Sequence, residues 1–175
     1  MPPRFLADAI DAAASTARLA ADEARHLSQV LRLGAGDEIA VFDGAGHEFL
    51  ARVESVDRTG ARLRLIEPID AAPEPAVRLT LAQAFLKGEK MDDVVRDATM
   101  MGVAAIEPLI TEHTVRHPGR TPDRWKKITI ASAKQCGRAF VPPVGAGTRF
   151  ADWLPADKSG YATLAEAMRE QGYLA

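Results

Sequence analysis

A proline-containing segment near the middle of the chain separates two halves whose hydrophobic patterns differ. Residues 69–76 (IDAAPEPA) contain Pro73 and Pro75 and few large apolar side chains. Because proline fixes its own backbone and restricts the residue before it, this composition is typical of a semi-rigid linker. We therefore place a domain boundary here, with a first domain at residues 1–72 and a second at residues 73–175.

The first half has the pattern of closely spaced β-strands. Residues 38–42 form a short apolar run, residues 48–56 partly alternate, and residues 61–66 alternate cleanly with Leu63 and Leu65 on one face. Glycine-containing turns separate these runs. Short strands at this spacing predict a small antiparallel β-barrel.

One helix is predicted within this half, at residues 22–33 (DEARHLSQVLRL). Leu27, Val30 and Leu31 fall at helical spacing, so they should share one buried face. Gly34 follows directly and is expected to end the helix.

The same predicted helix carries Arg25, His26 and Arg32. Arg25 and Arg32 are seven residues apart and lie near one face, and a basic stripe of this kind suits contact with a nucleic-acid backbone. A lone histidine near the middle of a helix is more often a polar surface residue, so His26 is compatible with both interpretations.

The second half has the pattern of an α/β domain. The apolar run at residues 77–85 is typical of a strand buried on both faces. A helix is predicted at residues 91–101, a strand at residues 103–110 and a second helix at residues 123–139. A strand, a helix and a strand in this order form a βαβ unit with a parallel sheet. A further apolar stretch at residues 161–168 is compatible with a strand or a helix.

Lys87, Gly88, Glu89 and Lys90 form a loop between the first strand and the first helix of this half. Ligands of open α/β sheets collect at the carboxyl ends of strands, and the following helix offers free N–H groups to an anion. The loop lacks the glycine pattern of a dinucleotide-binding motif or a P-loop, so an ordinary connection is equally compatible.

The strongest local charge feature lies at residues 112–140, where seven basic residues face two acidic ones although the whole chain has a net charge of -2. Such a segment could follow RNA phosphates, but a charged helix is often only a solvated face. Trp125 could stack on a base there, although a place in the hydrophobic core is favoured. The basic residues are Arg116, Arg120, Arg124, Lys126, Lys127, Lys134 and Arg138.

Metal, disulfide and membrane roles are not expected. Cys136 is the only cysteine, and His113 and His117 have no third ligand at zinc-site spacing. No apolar stretch approaches the ~20 residues of a membrane span, and the first residues lack a signal-peptide pattern, so we expect a cytoplasmic protein. The sequence contains no recognisable nucleophile motif or pair of catalytic carboxylates, so the catalytic residues are left unassigned.

Five segments, in order, give the chain a family resemblance. They are RFL at residues 4–6, RHLSQVLRLGAGDEIAVFDGAGHEF at 25–49, LTLAQAFLKGEKMDDVVRDATMMGV at 79–103, IEPLITEHTV at 106–115 and RWKKITIASAKQCGRAFVPPV at 124–144. With these segments the chain resembles the RsmE-type 16S rRNA (uracil-N3)-methyltransferases of the SPOUT superfamily. Any one segment is unspecific, whereas five in register are specific.

The resemblance implies a fold, an activity and partners. It implies an N-terminal PUA-like β-barrel that binds RNA, followed by a SPOUT-type α/β domain with a trefoil knot. The fold class would be α/β, or α+β when the barrel is counted. S-adenosylmethionine would bind in the knot and methylate N3 of a uridine in 16S ribosomal RNA of the small subunit. The working unit would be a cytoplasmic homodimer without a metal.

The chain departs from this family in several ways. The late cofactor motifs, a GPEGG-like loop and an LG-R-LR-ETA-like segment, are absent before Ala175. We therefore expect only the front part of the methyl-transfer domain, no assignable cofactor-binding residue, and no autonomous activity. Met100 and Lys134 stand where the family usually has Glu, and His113 stands where it usually has Arg.

RNA contacts are expected from both halves of the chain. On the barrel side the predicted residues are Arg4, Arg25, His26 and Arg32; on the methyl-transfer side they are Lys87, Lys90, Gln135 and Arg138. A non-catalytic RNA-binding protein on the same scaffold is the alternative function. A remnant that cannot fold, because its second domain is incomplete, is a third hypothesis.

Overall fold

The computed structural model describes residues 2–112, 114 and 122–153. Within these residues the chain forms a six-stranded sheet with the strand order β1-β4-β5-β6-β3-β2 and a three-stranded parallel sheet with the order β7-β8-β9. The fold is therefore mixed α/β, as the sequence predicts. The strands of the first sheet are β1 (Arg4–Leu6), β2 (Ala9–Asp11), β3 (Thr16–Ala20), β4 (Glu38–Phe42), β5 (Glu48–Asp57) and β6 (Gly60–Ile69).

The first sheet is curled, because its two edge strands are consecutive in the chain. Strand β1 pairs with β4 in parallel, and every other pairing in this sheet is antiparallel. Between β1 and β2, the Ala7 N–H donates to the carbonyl oxygen of Phe42 at 2.9 Å, and the Asp8 N–H donates to that of Arg18 at 2.8 Å. These two bonds tie the chain between β1 and β2 to β4 and to β3, so the two edges of the sheet lie close together and the predicted small barrel is confirmed.

The interior of the barrel is built from the alternating residues of its strands. Phe5, Leu19, Ile39 and Leu63 are fully buried, together with Leu27 from the helical segment. The predicted alternation of β6 is confirmed, since Arg62 and Arg64 are exposed. Strands β2 and β3 lie in an alanine-rich stretch for which the sequence predicts no strand.

The helix predicted at residues 22–33 is wrong in its length and in its buried face. An α-helix, α1 (Ala21–Arg25), passes directly into a π-helical turn at His26–Val30. The Leu31 N–H donates to the His26 carbonyl, an i to i+5 bond, at 3.1 Å. This wider turn breaks the 3.6-residue spacing, so Leu27 is buried whereas Val30 is 64% exposed and Leu31 is 41% exposed.

The second sheet belongs to the α/β half. Helix α2 (Lys90–Met100) follows β7 (Thr80–Ala84), and helix α3 (Pro122–Cys136) follows β8 (Ala105–Ile110). The short β9 (Thr148–Arg149) leads into α4 (Phe150–Trp153). The parallel pairing of β7 with β8 around α2 confirms the βαβ unit. Its core contains Phe85, Met91, Val95, Ile106 and Trp125.

The first strand of this half is shorter and less buried than the sequence predicts. The strand covers Thr80–Ala84, and Val77 and Leu79 before it are 67% and 61% exposed. Strand β7 lies at the edge of the described sheet, so a continuous apolar run did not produce a strand covered on both faces. Residues 70–79 contain no helix or strand, and the boundary at residue 72 stays a prediction.

Helix α3 ends at Cys136, three residues before the predicted end, because Gly137 adopts φ +86°. The chain then leads past β8, where the Pro143 carbonyl accepts from the Ile106 N–H at 3.0 Å. The apolar stretch at residues 161–168 lies outside the described residues.

Candidate nucleic-acid interface

Three of the predicted RNA contacts lie together on the surface of the barrel. Arg25, His26 and Arg32 are all exposed, and they lie on or directly after the helical segment that follows β3. The ring of His26 contacts the ring of Phe5 edge-on, with centroids 6.0 Å apart. Arg32 has φ +57°, so the backbone reverses there and turns away from the helical axis. The sequence predicted these residues on a regular helix, and the structure places them on a π-helical turn and the bend after it.

The Arg4 side chain is used inside the protein. It is 8% exposed, and its Nε and Nη2 donate to the two carboxylate oxygens of Glu48 at 2.7 and 2.9 Å. Its Nη1 also donates to the carbonyl oxygens of Ala133 and Lys134 at 2.9 and 3.1 Å, and Nη2 donates to that of Arg138 at 3.1 Å. Arg4 therefore binds carbonyl oxygens at the end of α3 and in the turn after it; of these, the Ala133 carbonyl also accepts from the Gly137 N–H at 3.1 Å. A phosphate could reach this guanidinium only if these bonds broke.

The Arg138 side chain is also buried. It is 7% exposed; its Nε donates to Glu74 Oε1 at 3.0 Å, and its Nη2 forms a second bond to the same carboxylate. Its other bonds go to the carbonyl oxygens of Thr99 at 2.6 Å and Val103 at 3.1 Å, and its guanidinium lies 5.6 Å from the ring centroid of Phe140. The bidentate ion pair joins the linker to the turn after α3, and the two carbonyl bonds join Arg138 to the end of α2 and the loop after it. The positions of Arg4 and Arg138 thus do not support the RNA contacts that the sequence predicted for them.

A third ion pair joins the same end of α3 to the barrel. Lys134 Nζ lies 2.5 Å from both carboxylate oxygens of Glu23 on α1, and 5.4 Å from the ring centroid of Phe5. We call Arg4, Glu23, Glu48 and Lys134 the junction cluster. Sequence analysis identified neither acidic partner, because burial of a single glutamate leaves no local pattern. Lys134 thus has a partner of opposite charge in this chain.

Lys87 lies in the loop after β7, and Lys90 is the first residue of α2. Both side chains are exposed, and Gly88 between them adopts φ +69°. The first turn of α2 contains Asp92 and Asp93, and these acids already complement the positive end of the helix dipole. The anion site predicted at this helix N-terminus therefore has two competing carboxylates beside its two lysines.

Trp125 is a core residue and not a stacking platform. It is 1% exposed, its Nε1–H donates to Asp92 Oδ1 at 3.1 Å, and its ring centroid lies 5.8 Å from that of Phe85. Arg124 binds the other oxygen of Asp92 with its Nη2 at 2.5 Å. The favoured prediction for Trp125 is thereby confirmed, and Arg124 is partly neutralised.

Helix α3 separates the two groups of exposed cations. Arg124 near its beginning contacts Asp92 on α2, and Lys134 near its end contacts Glu23 on α1. Ten residues of α-helix span ~15 Å, so the barrel-side and loop-side residues are well separated. Lys126, Lys127 and Gln135 are exposed along this helix. The predicted basic residues Arg116 and Arg120, and the histidines His113 and His117, lie outside the described residues.

Two carboxylates near the barrel surface have perturbed acidity. The pKa of Asp43 is below its ordinary value of 3.8: burial opposes this shift, but hydrogen bonds from the His47 side chain and from the Ala45 and His47 amides outweigh it. The pKa of Asp57 is lowered mainly by hydrogen bonds from the Thr59 hydroxyl and amide. Both carboxylates hold turns, so neither is assigned as a catalytic base.

The described part of the chain contains no group of three His, Cys, Asp or Glu side chains that could hold a metal ion. None of the helices within residues 2–112 and 122–153 has the length and apolar composition to cross a membrane.

Two family profiles match the chain. One, described as an RNA methyltransferase domain, matches residues 73–172; the other, described as an RNA methyltransferase PUA domain, matches residues 19–66. A curated relative, ribosomal RNA small subunit methyltransferase E of Synechocystis, is 32% identical over 141 residues, which is 80% of this chain and 46% of the relative. This chain spans about half the length of the curated relatives that it matches.

Solved structures show the same arrangement of barrel and α/β domain. The ribosomal RNA small subunit methyltransferase E of Neisseria gonorrhoeae, bound to S-adenosylmethionine, has a TM-score of 0.77 and 29% identity, with 89% of this chain and 67% of that chain covered. A Legionella pneumophila protein in complex with the same cofactor has a TM-score of 0.79 and 27% identity, with 90% and 67% covered. Because the methyltransferase profile spans more than half of the sequence and the PUA profile falls on the curled sheet, this chain belongs to the RNA methyltransferase family that includes ribosomal RNA small subunit methyltransferase E.

Proposed function

We propose that this chain supplies the RNA-binding barrel and the front part of the methyl-transfer domain of an enzyme that methylates N3 of a uridine in 16S ribosomal RNA. The observation that carries this proposal is the junction cluster. Arg4, held by Glu48 within the barrel, donates to carbonyl oxygens of Ala133 and Lys134, and the Lys134–Glu23 pair joins the same helix end to α1, so both fix α3 of the methyl-transfer half against the barrel. An RNA held on the barrel would therefore have a set position relative to the α/β domain.

The RNA-contact surface that we propose omits the two buried arginines. It consists of the exposed side chains Arg25, His26 and Arg32 on the barrel, with Lys87, Lys90 and Gln135 on the methyl-transfer half. Arg4 and Arg138 are left out because their guanidinium groups are buried in bidentate ion pairs. The barrel residues lie near the end of α3 and the two lysines lie near its beginning, so an RNA that touches both groups must extend along this helix.

S-adenosylmethionine is the proposed methyl donor, since a solved relative binds it. The late cofactor motifs of the family, a GPEGG-like loop and an LG-R-LR-ETA-like segment, do not occur within these 175 residues. At the carboxyl end of β7 the exposed charged side chains are Lys87, Glu89 and Lys90, and their net positive charge does not attract a sulfonium cation. When bound, the cofactor would supply an electrophilic methyl group. We assign none of the described residues to it and expect no methyl transfer by this chain alone.

The chemistry defines what the RNA-binding residues must achieve. The uracil N3–H has to lose a proton before methylation, so the enzyme must position the base and provide a proton acceptor. The target base must leave its stack to be reached. We propose the small ribosomal subunit as the partner, a homodimer as the working unit and the cytoplasm as the location.

The alternative function is a non-catalytic RNA-binding protein on the same scaffold. Three measurements on the purified chain separate the hypotheses: binding of a 16S ribosomal RNA fragment at several salt concentrations, calorimetry with S-adenosylmethionine, and transfer of a labelled methyl group to the RNA. Salt-dependent binding without cofactor binding would support the alternative. Cofactor binding at micromolar concentration would exclude it, and a lack of RNA binding at low ionic strength would refute both.

A further inference from the structure

An open groove lies on the barrel between the helical segment and the turn that joins β5 to β6. Its volume is about 520 Å³. One wall comes from α1 and the π-helical turn, and the other from the end of β5 and the turn after it. The groove is lined by Arg25, Ser28 and Gln29 on the first wall and by Val56, Asp57 and Arg58 on the second.

The two arginines of this groove have no acidic partner among the described residues. Two other exposed arginines of the barrel are paired, Arg52 with Glu38 at 2.6 Å and Arg64 with Glu54 at 2.9 Å. Two unpaired guanidinium groups in one groove attract an anion, and a guanidinium matches phosphate geometry well.

Asp57 is the one carboxylate among the residues that line the groove. Its Oδ1 accepts from the Thr59 amide at 2.7 Å, the Thr59 hydroxyl at 2.6 Å and the Gly60 amide at 3.2 Å. These bonds hold the carboxylate in its own turn. One acid against two arginines leaves the groove with a net positive charge.

Ser28 gives the groove a hydrogen-bond acceptor. Its hydroxyl donates to the Ala24 carbonyl at 2.9 Å, so its proton is used within the helix and its lone pairs remain available. A ribose 2′-hydroxyl is a donor that DNA lacks. Val56 adds a partly buried apolar surface beside this acceptor, on which a sugar ring can pack.

From this geometry we propose that the groove binds one ribose-phosphate unit of an RNA strand. Arg25 and Arg58 hold the phosphate, and the Ser28 Oγ accepts a hydrogen bond from the 2′-hydroxyl of the adjoining sugar. The proposal rests on the proposed RNA-binding function and assigns it a specific site. Sequence analysis identified Arg25 but not Arg58, which lies far away in the chain and reaches the groove only through the pairing of β5 with β6.

The first test compares charge variants of the full chain. Arg25→Gln and Arg58→Gln are titrated with a single-stranded 16S ribosomal RNA oligonucleotide over a range of salt concentrations. Each variant should lower the slope of log K against log salt by about 0.7, because one phosphate contact to a single strand is lost. The matched control is Arg52→Gln, which removes an exposed barrel arginine outside the groove and should leave the slope unchanged.

The second test compares RNA with DNA of the same sequence. Ser28→Ala should weaken RNA binding by roughly two- to tenfold, the effect of one lost hydrogen bond, and leave DNA binding unchanged. Thermal unfolding of each variant checks that the fold is intact; alanine is a good helix former at this position.

The outcomes separate this proposal from the proposed function. If the unmodified chain binds RNA but Arg25→Gln and Arg58→Gln behave like Arg52→Gln, the groove is not the site and the general function stands. If Ser28→Ala weakens RNA and DNA equally, or has no effect, the 2′-hydroxyl contact is wrong. If the unmodified chain fails to bind RNA, both proposals fall together.

Discussion

Replacement of Arg4 by methionine should destabilise both halves of the chain. The substitution keeps an apolar stem but leaves the carboxylate of Glu48, which is 6% exposed, without its partner. Breaking a buried ion pair from one side costs about 3–5 kcal/mol. Three carbonyl oxygens near the end of α3 lose a donor as well, but water can reach this helix end in part. We therefore expect a loss of about 4 kcal/mol, which for a chain of this size lowers Tm by about 10 °C.

The two tryptophans make the assay specific for coupling between the halves. Trp125 is buried in the α/β core, far along α3 from Arg4, whereas Trp153 is only partly buried. In a Trp153→Phe background, urea unfolding followed by Trp125 fluorescence reports the α/β half, and far-ultraviolet circular dichroism reports the whole chain. Because Arg4 lies in β1 and its carbonyl partners lie in α3 and the turn after it, both signals should shift to lower urea concentration together.

Three further variants test the assigned cause. Glu48→Gln combined with Arg4→Met removes the unpaired buried carboxylate. The double variant should therefore lose less free energy of unfolding than the sum of the two single variants. Arg4→Lys keeps the charge but not the planar fork, and should cost about 2 kcal/mol. Arg52→Met removes an exposed pair and should change stability by less than about 1 kcal/mol. If the Trp125 transition of Arg4→Met stayed in place while the dichroism signal shifted, the junction would not couple the two halves.

Other variants probe the rest of the surface. Lys134→Glu places two carboxylates together at Glu23 and should cost about 2 kcal/mol in thermal unfolding, whereas Lys127→Glu, at an exposed position, should cost little. Lys87→Gln and Lys90→Gln should each lower the salt slope of RNA binding by about 0.7 without a change in Tm; an unchanged slope would remove the loop from the RNA surface. Asp43 has a depressed pKa in the folded chain, so its contribution to stability is complete above the ordinary value of 3.8 and is lost as the pH falls through the lower folded-state pKa. Asp43→Asn should therefore lower Tm at pH 7 and reduce the difference between Tm at pH 7 and at pH 3. An unchanged difference between these two Tm values would contradict this role.

The local hydrophobic pattern was sufficient to predict two of the elements. The strand predicted at residues 38–42 is β4, and the helix predicted at residues 91–101 is α2 within one residue at each end. The first is a short apolar run and the second follows a predicted strand and ends at a glycine, so both are recognisable from the local sequence. Neither depends on a distant segment for its recognition.

Elements that depend on distant partners were missed or misjudged. Strand β3 contains three alanine or threonine residues and few strong strand formers, and it is a strand because its five residues pair with β6. The π-helical turn is stabilised by the burial of Leu27 and by the reversal at Arg32, neither of which a 3.6-residue spacing reveals. The prediction that Val30 and Leu31 share one helix face with Leu27 was therefore wrong.

The arginines show most clearly what sequence alone cannot determine. The sequence predicted RNA contacts for Arg4, Arg138 and Arg25 alike. In the structure Arg4 and Arg138 are buried, whereas Arg25 is exposed. The difference lies in Glu48 and Glu74, which are distant in sequence from the arginines they pair with. A buried arginine needs a carboxylate and carbonyl acceptors to offset its desolvation, and those partners exist only in the folded chain. Arg4 also donates to carbonyl oxygens at the end of α3, and Arg138 pairs with Glu74, so these two side chains attach the barrel and the linker to the α/β half. For the function that we propose, their role is to hold the barrel surface and the methyl-transfer half in one fixed arrangement.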